Sequence, residues 1–179
     1  MTGAPPVAPI VSCCATLLLA VASPCFAAER YVRASVNQAG QLRIMTSDGR
    51  AIVLEKGPGQ VGFDHIAVSQ DGHSVGWLAL YPNCCTSYPI PLKLVVYSGG
   101  QLLTFTGNGL PVFDWHFTAG GKQVAYEQET VHGGWGIHYE LREVTTGRLV
   151  AEYSPEYDRN NQPLPNQKVP KWVAELNAQ

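Results

Sequence analysis

The sequence predicts an all-β fold: antiparallel blade-like sheets, arranged as a partial β-propeller or an open sheet array, with a short C-terminal helix. Three observations predict it. Short segments alternate apolar and polar residues with the period of two that turns one strand face to a core. Turn residues punctuate them, and 18 Gly and 13 Pro in 179 residues suit many strands joined by tight turns. The stretch Val61–Phe105 recurs, with the same punctuation, over Val112–Tyr153.

Composition bounds the function classes. With 45% hydrophobic residues, 15% charged residues and a formal net charge of -2, the chain reads as one ordinary globular domain. The low charge excludes a disordered acidic chain. No basic surplus exists, so a nucleic-acid partner has no electrostatic footprint.

Residues 1–28 read as a signal peptide. The first charged side chain is Glu29, and Cys13–Ala22 is an apolar run too short to span a bilayer. Ser23-Pro24-Cys25-Phe26-Ala27-Ala28 follows, a helix breaker and small residues with cleavage expected near Ala27. The mature chain is then periplasmic or secreted. Of the five cysteines, Cys13, Cys14 and Cys25 leave with the leader, and the adjacent pair Cys84-Cys85 remains. An exported protein meets an oxidising compartment, where paired thiols seldom stay free.

Residues 29–154 form the expected β domain. Tyr31–Val36 and Gln41–Thr46 alternate as strands about the turn Asn37-Gln38-Ala39-Gly40. Asp48-Gly49 is a tight hairpin turn leading into Ala51–Leu54, because Gly accepts the positive φ required there. The central unit runs strand Asp64–Val68, turn Ser69-Gln70-Asp71-Gly72, strand Ser74–Leu80, loop Tyr81–Pro91, strand Leu92–Tyr97, turn Ser98-Gly99-Gly100 and strand Gln101–Phe105. Residues 155–179 read as an irregular tail ending in a short helix, Pro170–Leu176, with Trp172, Val173 and Leu176 on its docking face.

The second copy matches the central unit point by point. Phe63-Asp64 answers to Phe113-Asp114, Asp71-Gly72 to Gly120-Gly121, and Val75 and Trp77 to Val124 and Tyr126. Further on, Leu94 and Tyr97 answer to Leu141 and Val144, Gly100 to Gly147, and Leu102 to Leu149. Tyr31–Leu54 matches the last strands of such a unit. A period of about 50 residues with four strands per copy is the signature of a propeller blade. The pattern resembles the WD40-like repeats of TolB-type β-propellers, carried by Ser69-Gln70-Asp71-Gly72 and by Thr145-Thr146-Gly147-Arg148. Gln70 stands where the repeat usually has Pro. The resemblance implies blade-like sheets and leaves the ligand open. Closed propellers need at least four blades, so two to three repeats imply an open array or a homodimer that completes a ring.

Several residues are candidates for chemistry. Cys84 and Cys85 can close a strained vicinal disulfide ring within Tyr81-Pro82-Asn83-Cys84-Cys85-Thr86-Ser87-Tyr88-Pro89, as a brace or as a switch. Tyr81, Tyr88 and Trp135 lie in the two long inter-strand loops, with His132 and His138 beside Trp135. Aromatic side chains with one polar end suit a binding surface. Glu127 and Glu129 flank that loop as solvated strand-end charges. Gly72-His73-Ser74-Val75-Gly76 fits the G-x-S-x-G pattern of hydrolases, but that motif needs a strand, a sharp turn and a helix in a parallel sheet. Here it opens a strand, with Ser74 and Gly76 expected on its exposed face, so no catalytic residue is expected. No metal-ligand spacing and no cofactor motif is present. The sequence therefore points to an exported, non-catalytic binding or structural module of the cell envelope, recognising a protein, peptide or glycan. The alternative is a thiol-disulfide or metal-responsive protein acting through Cys84-Cys85.

Overall fold

A computed structural model describes residues 29–132, 136–160 and 162–178. The expected leader and Trp135 lie outside the described residues. Three open antiparallel sheets form in chain order. The first holds β1 (Tyr31–Val36), β2 (Leu42–Thr46) and β3 (Ala51–Leu54). The second holds β4 (Gly62–Val68), β5 (Ser74–Tyr81), β6 (Ile90–Ser98) and β7 (Gln101–Phe105). The third holds β8 (Val112–Thr118), β9 (Gln123–Gln128), β10 (His138–Glu143) and β11 (Leu149–Tyr153). The helix α1 is Lys171–Leu176. These sheets of three and four strands are compatible with blade-like repeats, and they do not close into a barrel.

The sheets stack because their alternating strands bury both faces. One core lies between the first two sheets: Tyr31, Leu42 and Ile44 meet Val75, Trp77, Ala79 and Val95. The next lies between the second and third: Leu78, Leu94, Val96 and Phe105 meet Val112, Trp115, Val124, Tyr126 and Val144. The second sheet thus sends alternate residues to opposite neighbours, Trp77 one way and Leu78 the other, as period-two geometry requires. On the far side of the third sheet, Val173 and Leu176 of α1 are buried with Tyr139. Six helical residues would not hold together alone, so this docking is what maintains α1. Trp172 packs at the margin, as its spacing implied.

The matched Asp residues perform the same local task. Asp64 Oδ1 accepts the His65 N–H and Asp114 Oδ1 accepts the Trp115 N–H, both at 2.8 Å, each beside a shift in strand register. The turns differ. Ser69-Gln70-Asp71-Gly72 closes through side chains: the Ser69 hydroxyl donates to Asp71 Oδ1 (2.7 Å), which also accepts the His73 N–H (3.0 Å), while Ser69 Oγ accepts the Ser74 N–H (2.9 Å). Its counterpart is a 3-10 turn over Ala119–Gly121. A Cβ on Gly121 would lie 2.7 Å from Asp71 Oδ1, so the two turns touch and only Gly fits there.

Register corrects part of the repeat alignment. Trp77 pairs with Val95, and Tyr126 pairs with Glu140. Leu141 therefore answers to Val96, not Leu94, and Arg142 rather than Val144 answers to Tyr97. The arm joining β9 to β10 is shorter than the arm joining β5 to β6. A slip of two residues keeps each side chain on its face, which is why the pattern hid it. The loop 81–91 is also shorter than expected, because Tyr81 still pairs with Ile90. Pro91 is tolerated within β6 at a shift in that register.

Candidate functional site

β5 and β9 both leave from the turns that touch at Gly121 and Asp71. Loop 82–89 and the described residues that follow β9, 129–132, therefore emerge at the opposite end of the stack. The first is built in detail. Asn83 Oδ1 accepts the Cys85 N–H (3.3 Å), and Asn83 Nδ2 donates to Thr86 Oγ1 (3.3 Å). The Thr86 hydroxyl donates to the Tyr88 carbonyl (2.5 Å). The loop borders a shallow, open hollow of about 280 Å³, lined by Val61, Pro82, Asn83, Thr86, Ser87, Tyr88 and Pro89. Tyr88 is 56% exposed on its rim.

Cys84 and Cys85 are exposed free thiols, with their sulfurs 2.8 Å apart. The hydrogen bond to Cys84 and then the charge it would carry push the Cys85 thiol above its ordinary value. The pair therefore resists becoming two thiolates at once.

The other binding candidates fall in different surroundings. Tyr81 is half-buried at the edge of the first core, with the Lys93 ammonium 5.0 Å from its ring centroid. His132 is exposed. His138 is buried and committed: its Nδ1 lies 2.8 Å from Ser154 Oγ and its Nε2 lies 3.3 Å from Glu140 Oε1. Among the described residues no group of three His, Cys, Asp or Glu could hold a metal ion.

Sequence reasoning missed the buried polar network that claims His138. Glu140 is 3% exposed. It accepts from the Tyr126 hydroxyl and from Arg142 Nε (2.5 Å), and Arg142 Nη1 continues to the Gly147 carbonyl (3.0 Å). Burial pushes the Glu140 carboxyl up, but hydrogen bonds from Arg142, Tyr126 and His138 outweigh it and hold it below its ordinary value. Burial, together with Glu140, raises Tyr126. His138, Glu140 and Arg142 share strand parity, which reads as a solvated face. Glu127 is likewise partly buried rather than solvated, and burial raises its pKa. Gln128 was also missed. Fully buried, it donates to the Thr106 and Leu110 carbonyls (2.9 and 2.8 Å) and clamps the Gly107–Leu110 turn.

Ser74 occupies no nucleophile elbow. It is 2% exposed inside β5, not on an open face, and its hydroxyl donates to Ser98 Oγ (3.0 Å). Gly76 is buried because the Trp115 ring lies against it. A larger cleft of about 520 Å³ lies at the turn end, with Asp71, Ser74 and Glu143 in its wall. Those groups already bond to His73 and Ser69, to Ser98, and to Arg148 and Thr146 respectively. Another open hollow of about 350 Å³, beside Tyr139, Tyr153 and Tyr157, is lined in part by the chain's own tail.

No protein-family model matches this sequence, and no curated protein matches it.

Proposed function

We propose that this chain is an exported, non-catalytic binding module of the cell envelope that recognises a polypeptide segment through the 82–89 loop. The carrying observation is Tyr88, 56% exposed beside a proline-walled hollow of about 280 Å³. Small-molecule sites usually enclose about 300–1,000 Å³ and bury most of the ligand. A smaller, shallower hollow suits one or two side chains of a peptide. The Asn83–Thr86–Tyr88 hydrogen bonds support the reading, because a pre-braced loop loses less entropy on binding. Export rests on the leader-like residues 1–28. Kinship with TolB-type WD40-like repeats rests on the two blade-like copies and their turns. A homodimer would have to meet through the outer face of β1–β3, where Val32 and Val53 are exposed, since α1 occupies the outer face of the third sheet.

The test is selection of a displayed random-peptide library against wild type, Tyr88→Ala and Leu102→Ala. Leu102 is as exposed but lies on an edge strand. The reading expects a consensus peptide that binds wild type and Leu102→Ala and is lost with Tyr88→Ala. Equal binding to all three proteins removes it.

A further inference from the structure

We propose that Cys84 and Cys85 form a thiol-disulfide exchange site that reacts with small disulfides and sets the conformation of the Tyr88 loop. The effect on Tyr88 rests on the binding role given above to that loop; the exchange chemistry does not.

The geometry is that of two groups ready to react with each other. The sulfurs stand 2.8 Å apart, and a disulfide bond needs about 2.05 Å. Both thiols are exposed, so a small disulfide reaches either one. The two sulfurs stand side by side, so one can attack and the other resolve, and Cys85, pushed above its ordinary value by Cys84, suits the thiol held in reserve. The thiolate attacks a disulfide RS–SR, forming a mixed disulfide and releasing RS⁻. The second thiol gives its proton to water and attacks the protein sulfur of that mixed disulfide. The ring bond forms, and the second RS⁻ leaves. Both leaving thiolates take up protons. The protein loses two protons and two electrons, and RS–SR becomes two RSH.

Ring closure reaches Tyr88 through groups already in line. The Cys85 N–H rests on Asn83, Asn83 holds Thr86, and Thr86 holds the Tyr88 carbonyl. Drawing the sulfurs together turns the peptide between them, and that peptide carries the Cys85 N–H. Strained, exposed disulfides are the readily reducible ones, so the closed state is reversible.

The test uses the full protein equilibrated with oxidised or reduced glutathione, followed by acid quench, alkylation and trypsin. Gly57–Lys93 has no internal Lys or Arg, so one peptide carries both cysteines and no others. After oxidised glutathione this peptide should be two hydrogens lighter and refuse alkyl groups. After reduced glutathione it should take two. Cys85→Ser should stop at a single glutathione adduct on Cys84. Two adducts on wild type, linkage to a second chain, or an unchanged dithiol in excess oxidant would each overturn the site. Amide exchange across 82–89 should differ between the two states while that of β7 does not; no difference overturns the coupling to Tyr88. The chemistry needs no peptide partner. If the ring forms and the Tyr88 peptide selection fails, the binding reading alone is lost.

Discussion

The two interfaces between the stacked sheets occupy equivalent places in the repeat and are both apolar at their centres, but the second carries a buried polar network that the first lacks. Between the first and second sheets, Trp77 faces inward opposite Val95, in a core of Tyr31, Leu42 and Ile44. The buried Trp77 indole N–H has no hydrogen-bond partner among the described residues. Between the second and third sheets, the equivalent pair is Tyr126 and Glu140, tied to Arg142 and His138. There the Trp115 indole donates to the His65 carbonyl (3.1 Å). The repeat therefore specifies which face a side chain takes and leaves its polarity open. A buried polar network within an apolar interface stabilises it only while each of its groups is satisfied.

The largest break in this comparison comes from Arg142→Ala. It leaves the buried Glu140 carboxylate without its cation, and removing one partner of a buried pair costs about 3 kcal/mol or more. Urea unfolding should show that loss. The triple change Glu140→Leu, Arg142→Met and Tyr126→Phe removes the network without leaving the buried Tyr126 hydroxyl unpaired, and it should cost less than Arg142→Ala alone. A larger cost would mean that the network stabilises beyond its burial.

Gly76→Ala comes next. The new methyl would enter the space of the Trp115 ring, and overpacking costs about 1–3 kcal/mol. Because the two sites touch, adding Trp115→Phe should recover part of that loss, a non-additivity that a double-mutant cycle reads directly. The indole comparison is finer. Trp115→Phe forfeits a hydrogen bond and Trp77→Phe forfeits none, so the first should cost about 1 kcal/mol more.

The smallest effect separates two turns. Burial pushes the Asp71 carboxyl up, but the His73 N–H and the Ser69 hydroxyl outweigh it, so its folded value lies below its ordinary one. A carboxyl lowered on folding adds stability above its unfolded value of about 3.9 and loses it as pH falls through the folded value. The protection factor of the Gly72 amide, its exchange taken relative to the intrinsic rate, should therefore fall below about pH 4, and Asp71→Asn should flatten that fall. Gly109, whose N–H bonds the Thr106 carbonyl in a turn that carries no carboxylate, should not follow.

The faces of the strands were legible in the sequence because period two survives any choice of apolar residue. Trp77, Tyr126, Val75 and Val124 sit where alternation puts them. Two things were not legible. The two-residue slip between β6 and β10 preserves parity, so alternation cannot detect it. Polar residues at shared parity, such as Glu140 and Arg142, read as solvated unless a second layer covers them. That layer is the neighbouring sheet, which no local pattern announces. The site was legible in part. Tyr88 and the cysteine pair stand exposed on their loop, whereas His138 was drawn inside by Glu140.

The most direct test of the binding role places a photoreactive benzophenone side chain at position 88, and in a separate protein at position 102, in cells that produce the chain. The account predicts a discrete adduct from position 88, absent from position 102 and suppressed by the peptide selected against the wild-type protein. The same adduct pattern from both positions, or none from position 88, would contradict it.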